Sequence, residues 1–259
     1  MNRFFSMAYD NFLTVSTRDF EGASFSGILL LSETARDHWF EKLVALTEVA
    51  GKQGEEDWLF TKTPESCTLA ARSGTRKLFI IAGRQIVTAE NLEVLALCSR
   101  KTYAEGQLID KVLDLVIEQG GVPVIPWGTG KWLGRRGKVL NRLIDNRPQD
   151  FFLGDNSGRP VFWTKPAHFK KASAKGIRIL PGSDPLPFSE ELSQVAAFGA
   201  ACKARMDASR PAHTLKELIQ SPDTIVSSYG HLESPLRFIK NQIAMQRVKR
   251  LRDRVPQPS

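Results

Sequence analysis

Lys77–Ala82 (KLFIIA), Gly83–Asn91 (GRQIVTAEN) and Leu92–Cys98 (LEVLALC) are the stretch on which the reading of the fold turns. The outer two segments are rich in branched apolar residues, the mark of strands buried on both faces. The middle segment mixes glycine with polar side chains, so it reads as the loop leaving the carboxyl end of a strand. Taken this way, the stretch is strand, functional loop, strand.

The surrounding sequence extends the pattern. Phe25–Ser32 is an apolar run of strand length, and Thr34-Ala35-Arg36-Asp37 has the form of a capping box opening a helix through Trp39, Phe40, Leu43 and Val44. Asp57–Lys62 and Cys67–Arg72 read as a hairpin broken at Pro64. In Glu105–Gln119, Leu108, Ile109, Val112, Leu115 and Val116 recur at helical steps, and Gly120 supplies the stop. Strands are then expected at Val122–Trp127, Asp150–Leu153 and Ile177–Leu180, with helices around Lys138–Ile144, Pro166–Lys175 and from Ser189 to about Ala197. Strands alternating with helices predict a largely parallel sheet, and 259 residues suit one α/β barrel-type domain.

Other classes find less support. No apolar run approaches the roughly 18 residues of a membrane-spanning helix, and Asp10, Arg18 and Asp19 interrupt any signal-peptide core, so a cytoplasmic location is expected. Cys67, Cys98 and Cys202 are odd in number and never form a CxxC pair, unlike a disulfide framework or zinc knuckle. The formal net charge of +8 is concentrated: between Pro235 and Arg254 seven cations (Arg237, Lys240, Arg247, Lys249, Arg250, Arg252, Arg254) face Asp253 alone. Ser234 and Pro235 suit the start of a terminal helix. The chain therefore divides into a main domain, residues 1–233, and a basic helical extension, residues 234–259. That extension reads as a solvated face or as a contact for nucleic-acid phosphates or an anionic membrane.

In parallel α/β sheets the loops after the strands form the functional face. This rule selects Gly83-Arg84-Gln85, Pro126-Trp127-Gly128, Gly154-Asp155-Asn156 and Gly182-Ser183-Asp184. Turn chemistry alone also favours Gly, Asp, Asn and Ser there. Asp155 and Asp184 are candidates for an acid–base pair, or for ligands of at most one divalent cation. Residues 128–138 combine glycines, Trp132 and four cations, a composition that suits either an anion grip or a solvated basic loop. They lack the phosphate-loop spacing of nucleotide triphosphatases. An anionic ligand would draw on Arg84, Gln85, Trp127, Lys131, Arg135, Arg136 and Asn156. None of the four histidines has a catalytic setting, and no Gly-x-Ser-x-Gly elbow occurs.

Three segments resemble the PHP (polymerase and histidinol phosphatase) superfamily. Gly83–Thr88 leading into Leu92–Leu97 resembles its Gly-x-Glu-(apolar)-x-Thr stretch. Gly120–Trp127 resembles its Gly-Gly-Val-x-Val-(apolar)-x-His segment, and Ile179–Asp184 the strand before its Gly-Ser-Asp-x-His motif. The resemblance covers residues 77–199 and implies a distorted (β/α)7 TIM-like barrel of metal-dependent phosphoesterase ancestry. Gln85, Trp127 and Leu186 stand where the family has metal-binding glutamate and histidines, so a multinuclear centre is not expected. What the resemblance implies is a barrel that binds an anionic, phosphorylated small molecule. It is either a phosphoester hydrolase or a non-catalytic binding descendant, with a nucleic-acid role for the terminal helix as a third reading.

Overall fold

The structure, a computed structural model, describes residues 1–48, 57–163, 165–185, 189–241 and 243. Leu186 and the cations from Arg247 to Arg254 lie outside the described residues. In chain order the elements are α1 (Asn2–Asp19), β1 (Gly27–Glu33), α2 (Trp39–Leu46), β2 (Leu59–Lys62), β3 (Thr68–Ser73), β4 (Arg76–Val87), β5 (Glu93–Leu97) and α3 (Ile109–Glu118). They continue with β6 (Val122–Pro126), α4 (Gly134–Asn146), β7 (Phe152–Asn156), α5 (Ala167–Ala174), β8 (Ile179–Gly182), a 3-10 turn (Ser189–Gln194), β9 (Gly199–Ala201), α6 (Pro211–Gln220) and β10 (Ser227–Tyr229). Residues 235–241 are again helical.

The expected barrel is not formed, and the opening stretch is the reason. Gly83-Arg84-Gln85 is no loop: β4 runs straight through it for 12 residues. The chain then reverses tightly, Asn91 taking a left-handed φ of 57° and Thr88 N–H donating to Leu92 O at 2.9 Å, and returns as the antiparallel β5. A two-strand hairpin has no room for the crossover helix that a parallel barrel requires between successive strands. β5 pairs antiparallel with β6 as well, and four of the seven pairings in the eight-stranded sheet are antiparallel.

The sheet also branches. Ala82 donates its N–H to Cys67 O and accepts at its carbonyl from Ser99 N–H, so β3 and β5 follow one another along a single edge of β4. β1 takes the opposite edge, in parallel register from Gly27 opposite Leu78 to Glu33 opposite Arg84. At the far side β8 pairs within this sheet only with β7. β1 and β8 do not meet as partners, and the sheet stays open.

One direction nevertheless dominates. β1, β4, β6, β7 and β8 all run the same way, because β4 and β6 are each antiparallel to β5 while β1, β7 and β8 are parallel to their neighbours. Their carboxyl ends share one edge of the sheet, together with the amino end of β5.

Helices cover one face. On β4 the alternating residues Leu78, Ile80 and Ala82 pack with Phe5 and Ala8 of α1 and Phe40 and Leu43 of α2. Ile86 joins Val94, Ala96, Ile125 and Leu153 beneath α3, α4 and α5. α1 is held there because Phe5, Ala8, Phe12 and Val15 recur at helical steps. The opposite face, with Ile81, Leu97, Val122 and Val124, meets α6. The carboxylate of Glu65 caps the start of α6, accepting from the Ala212 and His213 amides at 2.7 and 2.8 Å. Among the described residues no helix is long and apolar enough to cross a membrane.

Two local expectations change as well. Thr34 Oγ1 donates to Asp37 Oδ2 at 2.6 Å instead of capping a helix, and α2 begins at Trp39. The buried Glu33 carboxylate provides the cap, accepting from the Trp39 amide and, at 3.0 Å, from the Phe40 amide. The terminal extension is docked, not detached: Arg237 pairs with Glu191 at 2.7 Å, and Phe238 stacks edge-on against Phe162 and Trp163.

Candidate functional site

Side chains alternate along a strand, so the register decides which of the candidate residues share a face. Gln85 opposes Leu95, Val87 opposes Glu93, Leu95 opposes Val124, Val124 opposes Phe152, and Asn156 opposes Gly182. Gln85, Glu93, Pro126, Asn156 and Gly182 therefore line the α6 face at the edge where the parallel strands end. Arg84, Trp127 and Asp155 point to the helix-covered face.

On the α6 face a polar cluster forms. The Asn156 amide donates to Trp127 O at 3.2 Å and to Asp184 Oδ2 at 3.1 Å, tying together the ends of β6, β7 and β8. Lys131, on the loop before α4, meets Glu93 Oε1 at 2.5 Å. Asp184 has a left-handed φ of 42°, uncommon outside glycine, and its side chain is open to solvent. Crowding by surrounding protein pushes its carboxyl above the ordinary carboxylate range. The Glu93 carboxylate raises it further, while Lys131 and the Asn156 amide pull it down. Two carboxylates and one ammonium leave a net charge of −1, which a proton on Asp184 neutralises.

On the other face the charges are already matched. Asp155 and Arg159 form a buried bidentate pair, with contacts of 2.9 and 2.7 Å. Arg84 meets Glu33 at 3.4 Å and donates to Asp37 O at 2.8 Å. The cavity lined by Arg84 and Gln85 measures about 40 Å³, space for one or two waters rather than a ligand. Trp127 is buried with its ring edge-on to Trp163 at 6.0 Å.

Of the basic loop, Arg136 is spent on backbone, donating to Gly130 O at 2.8 Å and Asn91 O at 3.4 Å. Arg135 is exposed in the first turn of α4 and has no partner among the described residues. The structure thus brings Lys131, Asn156 and Asp184 together with Gln85 beside them. It separates Asp155 and Arg84 onto the opposite face and leaves Arg135 at the rim. Glu93 is the member that the rule of strand carboxyl ends overlooks, because β5 is antiparallel and presents its amino end here. A lone acid at the head of an apolar run, LEVLALC, is the only trace of it in the sequence.

No group of three or more His, Cys, Asp or Glu side chains converges among the described residues. With Glu93 engaged by Lys131, Asp155 by Arg159 and Trp127 in the core, the residues present do not fit a multinuclear metal centre.

The fold and cluster define a mixed α/β protein with an open, branched sheet and a polar recess at the shared strand ends. No family model matches the chain, and no curated protein matches it. Among solved structures it is similar to the crystal structure of PsfC from Pseudomonas syringae PB-5123. The TM-score is 0.54 at 14% identity, over 93% of this chain and 91% of that one. The likeness concerns the fold, across nearly the whole of both chains.

Proposed function

We propose that the recess binds a small polar molecule bearing an anionic group, and that Asp184 serves as its proton-carrying residue. The observation that carries this reading is the Asn156 amide joining Trp127 O to Asp184 beside the Glu93–Lys131 pair. With a proton on Asp184 the trio is neutral, and both the carboxyl O–H and the remaining ammonium N–H groups are donors toward a ligand oxygen. Lys131 holds the anionic end and Asp184 donates to it. Exposed Arg135 attracts the ligand from the rim. The resemblance to PHP segments on β4, β6 and β8 supports phosphomonoesters as the ligand class and hydrolysis by proton transfer as the reaction class.

A panel of phosphomonoesters titrated calorimetrically at pH 5 and pH 8 tests this. Binding is expected at pH 5 and weaker at pH 8, where Asp184 loses its proton. Lys131→Met should abolish it. Equal binding by Lys131→Met, or binding that strengthens with pH, contradicts the proposal.

A further inference from the structure

The helix that begins at Pro235 is turned inside out. Its inward side is polar: Arg237 reaches Glu191 at 2.7 Å and Glu233 at 3.7 Å, and Asn241 donates to Glu233 at 2.5 Å and Glu191 at 3.4 Å. Only Phe238 adds an apolar inward contact. Leu236, Ile239 and Ile243 fall at i, i+3 and i+7, one side of a helix, and are 83%, 55% and 50% exposed. A surface helix ordinarily buries such a stripe and solvates its polar side.

A second segment extends the apolar surface. Val161 donates its N–H to Glu233 O at 2.9 Å, and Pro160 bridges to Glu233, so the loop carrying Val161 and Phe162 is laid against the helix start. Those two side chains are 57% and 59% exposed. Five large apolar residues thus stand together in water, the kind of patch that marks an interaction surface.

We infer that this surface docks onto an anionic lipid bilayer. The sequence following the stripe supplies Arg247, Lys249, Arg250, Arg252 and Arg254 against Asp253 alone. An interfacial helix combines this pairing: apolar side chains enter the headgroup boundary while flanking cations meet anionic lipid. A nucleic acid would match the cations but offers the Leu, Ile and Phe side chains no apolar medium. A second copy of this chain would bring two basic segments together, which like-charge repulsion opposes.

Vesicle co-sedimentation with the full chain tests the inference, comparing phosphatidylcholine vesicles with ones containing roughly one third phosphatidylglycerol. Binding to the anionic vesicles alone is expected. Leu236→Glu with Ile239→Glu should weaken it at least about tenfold, with circular dichroism and melting unchanged because both side chains are exposed. Replacing Arg247, Lys249, Arg250 and Arg252 by Gln should weaken it comparably. Three results overturn the inference: no vesicle binding, binding indifferent to the two apolar substitutions, or a light-scattering dimer that those substitutions dissolve without any vesicle binding.

Discussion

Asp155 and Asp184 end adjacent parallel strands and have the same side chain, yet the fold uses them oppositely. Asp155 faces the helices, is buried, and meets Arg159 through two parallel contacts. Asp184 faces the α6 side of the sheet, is open to solvent, and shares its surroundings with a second carboxylate. A residue's place on a strand, odd or even, decides whether its charge is cancelled by the fold or left for a ligand. The first case holds the structure together, and the second raises a pKa.

The largest expected effect falls on the cancelled charge. Arg159→Ala leaves the Asp155 carboxylate buried without its partner and should cost about 3–5 kcal/mol in urea denaturation. A cost below about 1 kcal/mol would show that water reaches Asp155 and that the contrast is false. Glu33→Ala comes next, removing the cap of α2 and the partner of Arg84 at once. A loss of about 2–3 kcal/mol is expected by the same method.

Gly83→Ala probes the junction on β4. A Cβ there would stand 2.7 Å from the Leu31 carbonyl, backbone that cannot move without disturbing the β1 pairing. A loss of about 1–3 kcal/mol is expected, read as a shift in the denaturation midpoint at unchanged slope.

Asp184→Asn should have the smallest effect on stability, but with a characteristic pH dependence. The raised folded-state pKa means the folded protein holds this proton more tightly than the unfolded chain. The stability this confers is complete below the unfolded Asp value, near pH 4, and is lost as pH rises through the folded one. The variant lacks this loss, so its stability relative to the parent should climb as pH rises from about 4. A constant difference from pH 3 to pH 8 would mean that Asp184 is an ordinary surface carboxylate.

The strands were legible because apolar runs of the right length have few other uses, and β1, β6, β7 and β8 lie where such runs occur. Their pairing was not. Gly83-Arg84-Gln85 has the composition of a loop, and it becomes strand because Glu33 and the Asp37 carbonyl, some 50 residues earlier, satisfy Arg84. That tertiary partner converts an expected strand end into mid-strand, and with it a barrel into an open sheet. Within the recess, Asn156 and Asp184 were legible from the strand-end rule and Lys131 from its basic loop. Glu93 was not, because it enters from an antiparallel strand that the rule ignores. The separation of Asp155 from Asp184 needed the register, which no local pattern carries.

The most direct test is the carboxyl carbon-13 shift of Asp184, followed by NMR from pH 3 to pH 9 in the parent and in Glu93→Gln. The midpoint is predicted to lie above the ordinary Asp range in the parent and to fall when the neighbouring carboxylate is neutralised. A parent midpoint at or below the ordinary value, unmoved by Glu93→Gln, would contradict the account of the recess.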